Sequence, residues 1–302
     1  MFKELSLSLL ALVSANTFAA AKFSSPPNPA DSQFVGAWMG TYAEQAAESV
    51  KSGSRWVPSQ FCLGFGDSHD LVRDRGCDPD LLQKSHSCAI QNLKAGKWDA
   101  GFLNLPVEVF APALVNYLTQ SQCSYLILDI ESLPGTQREN YSKWITQLRP
   151  ALLKLAPALK MGISAHAKTE PKGDWDGAQS QDWKVLCDNS DELIIMAYDF
   201  NYPGSTDPGE TAPLEWVEKV LTYGKSACTA DKLRLGMAAY GYRWPTTAVL
   251  TERERLTQGP PLLGIVETEE KRAEKIELAT TLGIKKFFLW ALGMERLPVI
   301  VP

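Results

Sequence analysis

The sequence predicts an α/β protein built as one (β/α)8 barrel, and three observations carry that expectation. Strand-like and helix-like segments alternate from residue 33 onward, and the later strands are continuous apolar runs of the kind a parallel sheet buries on both faces. The 302 residues also suit a single-core barrel, which typically needs about 250. A doubly wound sheet is the competing architecture, but no G-x-G-x-x-G or phosphate-cradling glycine loop follows any strand.

Taken in order, Phe34 to Met39 reads as a strand, Ala43 to Lys51 as a short helix and Gln60 to Phe65 as a second strand. Gly66 to Lys97 reads as irregular, and Ala100 to Leu105 as the third strand. A helix follows around Ala111 to Thr119, then a strand from Tyr125 to Ile130. Between Arg138 and Leu155, Tyr141, Trp144, Ile145, Leu148, Leu152 and Leu155 recur at helical spacing, which marks an amphipathic helix. The remaining strands are Lys160 to Ala165, Leu193 to Tyr198, Leu233 to Ala239 and Lys286 to Ala291, with helices at Pro213 to Tyr223 and Glu269 to Leu282. The interval before the last strand leaves room for no large insertion domain.

Composition narrows the function. With 45% hydrophobic and 22% charged residues, the chain is neither disordered nor of low complexity. A net charge of −5 and no long Lys/Arg run argue against a nucleic-acid partner. Residues 1–21 read as a signal peptide: Lys3, an apolar stretch from Leu5 to Val13, and small residues at Ala19-Ala20-Ala21. Residues 22–32, including SSPPNPADS, read as a linker and 33–302 as the folded barrel. The expected product is a periplasmic or secreted monomer without a membrane anchor. Cysteines 62, 77, 88, 123, 187 and 228 then read as disulfides, with bridges expected among Cys62, Cys77 and Cys88. A metal site from Cys77, His86 and Cys88 lacks a second close ligand pair, and no metal or organic cofactor is implied.

The chemistry concentrates at strand ends, where a barrel places its active site. In Tyr125-Leu-Ile-Leu-Asp-Ile-Glu131, side chains alternate faces, so Asp129 and Glu131 point the same way with Cα atoms roughly 6 to 7 Å apart. Mutual repulsion and burial favour protonating one of the two, which is the state a general acid needs. Met196, Tyr198 and Asp199 end another strand, and Trp290 ends the last one with a flat face for a sugar ring. His69, His86 and His166 form no evident triad, and a surface or core-edge role is expected for each, although His166 follows the fifth strand, where facing the cleft is the alternative. The alternating charges from Glu267 to Glu277 read as a solvated helix face.

Several segments resemble glycoside hydrolase family 18, the chitinase-type barrels: LILDIE at 126–131, NYSKWITQLRPAL, MAYDF at 196–200, APLEWVEKVLTYG, KLRLGMAAYGYRWP at 232–245 and KKFFLWALG at 285–293. YGYRWP is similar to the compact branch that holds spore-cortex N-acetylglucosaminidases and chitobiase-like enzymes. The resemblance implies a hydrolase of β-1,4 bonds beside N-acetylglucosamine, in chitooligosaccharides or peptidoglycan. In this family the substrate's own acetamido oxygen attacks the anomeric carbon, so no protein nucleophile is needed. By the same resemblance Glu131 is the acid, Asp129 holds the N-acetyl group and Tyr198 hydrogen-bonds its oxygen. Asp199 and Met196 contact the same sugar, Trp290 is its floor and Tyr240 is a further rim candidate.

The family's D-x-x-D-x-D-x-E motif falls on Ser124 to Glu131, with Ser124 for the first Asp and Ile127 for the middle one. Asp129 therefore lacks the carboxylate that many chitinases place beneath it. The third-strand S-x-G-G motif is absent, with Gly101-Phe-Leu-Asn-Leu the nearest stretch. These departures keep two alternatives open: a lectin-like barrel without turnover, and a retaining glycosidase with a protein nucleophile.

Overall fold

The computed structural model describes residues 28–38, 40–66, 70–73, 86–94, 96–258 and 264–297. Eight parallel strands close on themselves: β1 (Phe34–Trp38), β2 (Val57–Phe65), β3 (Ser87–Gln91), β4 (Tyr125–Asp129), β5 (Lys160–His166), β6 (Glu192–Met196), β7 (Leu233–Ala238) and β8 (Lys286–Trp290). Each pairs with its neighbour in chain order, and β1 also pairs with β8, which closes the (β/α)8 barrel. The outer layer holds α1 (Ala43–Lys51), α2 (Val107–Gln120), α3 (Arg138–Leu155), α4 (Asp176–Gln179), α5 (Trp183–Asp188), α6 (Leu214–Ala227), α7 (Glu252–Gln258) and α8 (Glu269–Thr281). A small antiparallel sheet of Tyr240–Arg243, Ala248–Thr251 and Gly264–Val266 lies between β7 and β8 in the chain.

Strand parity sorts the core into two shells. Val35, Ala37, Phe61, Ala89, Tyr125, Ile127, Ile194 and Phe288 fill the barrel interior. The alternate positions, among them Leu126, Leu128, Ile163, Leu193, Ile195, Leu235, Phe287 and Leu289, pack outward against Leu114, Tyr141, Trp144, Leu148, Val217 and Leu221 of the helices. At the lower end of the barrel Glu192 is buried among cations and a phenol. Arg234 Nε and Nη2 donate to its two oxygens at 2.8 and 2.9 Å, the Tyr125 hydroxyl at 2.7 Å and Lys286 Nζ at 2.5 Å. Gly162 leaves the space into which the Tyr125 hydroxyl reaches, since a Cβ there would collide with it.

Four expectations change. The third strand is Ser87–Gln91, inside the stretch read as irregular, and Gly101–Asn104 is a 3-10 turn. Phe102 there packs on Phe65 and Trp144, with centroids 5.4 and 5.1 Å away, so its apolar character serves the helix layer. Cys88 bonds to Cys123, because its outward parity on β3 faces the turn that leads into β4; Cys187 bonds to Cys228. Cys77 and His69 lie outside the described residues, as do residues 1–27. Within the stretch read as linker, Pro29–Asp31 forms a 3-10 turn whose Ala30 is buried, and Arg234 and Lys286 both donate to the Ala30 carbonyl. Finally, Arg272 and Lys275 of the charged run are buried, paired with Glu252 (2.6 Å) and Glu267 respectively, instead of lying on a solvated face.

Candidate active site

β4 brings Asp129 to the upper rim on the same parity as Tyr125 and Ile127, which places its carboxylate at the top of the barrel interior. It is 3% exposed. Gln91, its register partner on β3, donates from Nε2 to Asp129 Oδ2 at 2.9 Å. Ser164, inward-facing on β5, and Glu131 are close enough to favour the ionised carboxylate as well.

Glu131 sits beyond the last ladder bond of β4, and side chains take over from the sheet in holding its backbone. The buried Asn92 accepts from Glu131 N–H and donates to Glu131 C=O, both at 2.8 Å, so its amide imitates one more ladder pair. Gln181 Nε2 donates to the Ile130 carbonyl at 3.0 Å, and the Ser132 N–H donates to His166 Nε2 at 3.1 Å. Three consecutive residues are thus fixed by Gln181, Asn92 and His166, while the Glu131 side chain stays 22% exposed.

The electrostatics follow from this placement. Burial raises the proton affinity of Asp129, and the hydrogen bonds from Gln91, Ser164 and Glu131 work against that rise. Glu131 is held well above the usual carboxylate range by burial, then by the charge of Asp129, its hydrogen bond to Asp129 and the charge of Asp199. The shared hydrogen bond favours ionised Asp129 and protonated Glu131, so the proton belongs to Glu131. His166 lies 4.0 Å from Glu131 Oε2, but burial and the nearby Lys168 push it down to about 3, so it is neutral and free to accept from Ser132. Among the described residues, no lysine or arginine pairs with Asp129, Glu131 or Asp199.

The opposite wall comes from β6, β7 and β8. Met196 closes β6 and is buried, while Tyr198 follows two residues later. Burial first, and then the charges of Glu131, Asp129 and Asp199, raise the Tyr198 phenol far above its ordinary value, so it remains a neutral hydroxyl donor. Asp199 adopts a φ of 61°. Its Oδ1 accepts from Tyr240 at 2.9 Å, Tyr242 at 2.7 Å and Thr211 at 3.1 Å. Tyr240 is 5% exposed and reaches the site through this contact with Asp199. Trp290 is half-buried at the end of β8, its ring 4.9 Å from Phe61 at 62°. Trp175, 45% exposed, sets its indole edge against His166 with centroids 4.5 Å apart.

The structure therefore gathers Asp129, Glu131, Tyr198 and Asp199 into one interacting group, with Tyr240 behind Asp199 and with Met196 and Trp290 at neighbouring strand ends. The sequence reading missed Gln91, Asn92, Ser164, Gln181, Thr211 and Tyr242, and His166 belongs to the site instead of a surface or core edge. Parity is the signal for three of these. Gly162, Ser164 and His166 alternate inward on β5, as Ser87, Ala89 and Gln91 do on β3. Among the described residues, no three His, Cys, Asp or Glu side chains cluster at metal-binding distance. The site thus holds a carboxyl of strongly raised proton affinity, a second carboxyl beside it, a neutral phenol and a half-buried indole.

Comparison with known proteins agrees with this fold. A chitinase from Chromobacterium violaceum has a TM-score of 0.76 at 21% identity, over 88% of this chain and 95% of that one. The spore cortex-lytic enzyme SleL of Bacillus cereus gives 0.74 at 15% identity, over 88% and 71%. In sequence, the cortical fragment-lytic enzyme of Bacillus subtilis is 23% identical over 156 residues, covering 50% of this chain and 36% of that protein. The uncharacterized glycosylase YvbX of Bacillus subtilis is 26% identical over 117 residues, or 39% and 33%. These sequence matches thus span well under half the length of the curated relatives. The family model of the glycosyl hydrolases family 18 matches residues 98–294, which run from just after β3 to beyond β8 and include every strand end that carries a site carboxylate. With more than half of its length matched, this chain belongs to the glycosyl hydrolases family 18.

Proposed function

We propose that the protein is an exported glycoside hydrolase that cleaves β-1,4 bonds next to N-acetylglucosamine, in chitooligosaccharides or peptidoglycan, by substrate-assisted retention. The observation that carries this reading is the carboxyl pair: Glu131, partly open to solvent and raised in proton affinity by burial and by Asp129, stands beside buried Asp129, and among the described residues no lysine or arginine pairs with either. Glu131 donates its proton to the glycosidic oxygen as the C1–O bond breaks. The substrate's acetamido oxygen closes onto C1 from the other face, and Asp129 balances the positive charge that develops on the acetamido group. Tyr198 orients that oxygen with its hydroxyl. Glu131, now ionised, takes a proton from the water that reopens the ring, so the product keeps the β configuration. Asp199 and Met196 would contact the same sugar, Trp290 would carry its apolar face, and Tyr240 would hold Asp199 in place. The names of the similar proteins, a chitinase and cortex-lytic enzymes, support this substrate class. The two disulfides support an oxidising compartment.

One observation favours a second reading, a glycan-binding barrel without turnover: Ile127 is fully buried among apolar side chains where the motif has a carboxylate. A product assay on both glycans separates the two. Under the first reading the wild type releases β-configured products, and Glu131→Gln loses at least about a hundredfold in kcat. Full activity in Glu131→Gln, or a covalent glycosyl-enzyme trapped on a protein side chain, overturns it. Binding without products, unchanged in Glu131→Gln, selects the second.

A further inference from the structure

Ile127 packs with Val35, Ala37, Phe61, Ala89, Tyr125, Ile194 and Phe288, so the floor beneath Asp129 can neither carry a proton nor donate a hydrogen bond. The donors come from the sides. Gln91 reaches Asp129 Oδ2 across the β3–β4 ladder at 2.9 Å, and Ser164, inward-facing on β5, also favours the ionised carboxylate. We propose that Gln91, seconded by Ser164, is the positioning residue that keeps Asp129 the ionised member and Glu131 the proton-bearing member of the pair. It thereby replaces the carboxylate that this chain lacks at Ile127. The proposal deepens the hydrolytic reading above and rests on it for its kinetic arm.

A primary amide turned nitrogen-first towards a carboxylate can only donate, and such a bond favours the ionised form. Among the described residues, the titratable groups around the pair are disposed differently from Gln91. Glu131 competes for the same proton, His166 on β5 is neutral, and Tyr198 and Asp199 follow β6. Tyr240 and Tyr242 after β7 are committed to Asp199, and Tyr141 of α3 is a buried neutral phenol whose hydroxyl makes no hydrogen bond among the described residues. Without Gln91 the proton affinity of Asp129 rises towards that of Glu131. The shared proton then spends more time on Asp129, where it is of no use to the leaving group. Gln91 touches no reacting atom in this scheme and acts through Asp129 alone.

The test compares the full chain with Gln91→Leu, Gln91→Glu and Ser164→Ala by two readouts: the pH profile of kcat/KM on chitooligosaccharides, and the carboxyl carbon NMR titration of Asp129. The acid-side midpoint should move up by roughly one pH unit in Gln91→Leu, further in Gln91→Glu and less in Ser164→Ala, with roughly tenfold lower plateau activity in Gln91→Leu. A uniform loss of rate with an unmoved midpoint means Gln91 is only structural and overturns the proposal. If Gln91→Leu does not fold, Ser164→Ala carries the same readout. If the wild type cleaves neither glycan, the hydrolytic reading fails on its own. The NMR titration still decides: an Asp129 midpoint raised in the variants supports the role of Gln91, and an unmoved one rejects it.

Discussion

At the lower end of the barrel Glu192 is buried against Arg234, Lys286 and the Tyr125 hydroxyl, while at the upper rim Asp129 and Asp199 accept hydrogen bonds from neutral side chains and, among the described residues, no lysine or arginine pairs with either of them or with Glu131. β4 contributes to both ends, through Tyr125 and Asp129, so the contrast is not one of element type or of packing. It is one of compensation. A buried carboxylate matched by cations has its charge balanced where it stands, and it ties the chain together: Arg234 also donates to the carbonyls of Ser32 and Phe287 at 3.1 Å. A buried carboxylate given only neutral donors keeps an elevated proton affinity, which is structurally unfavourable and chemically useful. The same fold therefore uses burial to lock one end and to poise the other.

Breaking the lower end should have the largest effect. Arg234→Ala removes two bonds to Glu192 and frees several carbonyls, and a buried pair broken on one side typically loses about 3–5 kcal/mol. Urea unfolding measures it; a loss below about 1 kcal/mol would show that Lys286 and Tyr125 suffice. Next comes Asn92→Ala, which strands the N–H and C=O of Glu131. Each unmet buried group costs about 1–3 kcal/mol. Because the loosened peptide carries the acid, kcat should fall with KM little changed, and an unaltered kcat would remove Asn92 from the positioning of Glu131.

The contrast between the two ends also explains what the sequence made legible. The inward parity of Asp129 with Ile127 was readable because β4 is five residues without a break, and the barrel followed from strands whose apolar runs leave no other period. The third strand was not readable, since Ser87-Cys-Ala-Ile-Gln is short and its neighbours in sequence are polar, whereas Phe102 and Leu103 advertise a strand they do not form. His166 and Gln91 obey the same parity rule as Asp129 and were missed through strand ends set one residue short or in the wrong place. Asn92 and Gln181 obey no period, because each replaces a ladder bond from a loop. Buried charges were the hardest to read. Arg272 and Glu192 look like surface residues until partners distant in sequence are brought beside them, and Lys275 until the chain turns Glu267 back onto it.

A smaller effect should appear at His166. Its folded value of about 3 lies below the ordinary 6.5, so the unfolded chain binds the proton more tightly. Stability from this group is therefore full above the unfolded value and is lost as pH falls from 6.5 towards about 3. By pH 5 the loss is on the order of 2 kcal/mol. His166→Gln keeps an acceptor for the Ser132 N–H and does not titrate, so its stability between pH 7 and 5 should decline less steeply than that of the wild type. Equal slopes in the two proteins would place the acid sensitivity elsewhere.

The smallest expected effect sharpens the comparison most, because its sign is opposite at the two ends of the barrel. Glu131 holds its proton more tightly folded than unfolded, where its value is near 4.5. The contribution of this group is thus most favourable at low pH and diminishes as pH rises from the unfolded value through the folded one. Glu131→Gln, which cannot ionise, escapes that decline. It should match the wild type near pH 4 and exceed its stability by on the order of 1 kcal/mol at pH 8, while losing activity. Glu192→Gln, by contrast, leaves Arg234 and Lys286 facing a neutral amide, and should destabilise at every pH where both are charged. Thermal unfolding of the two variants across that range gives a direct reading. If Glu131→Gln is less stable than the wild type at pH 8, the rim carboxylate is part of the scaffold, and the division of labour between the two ends does not hold.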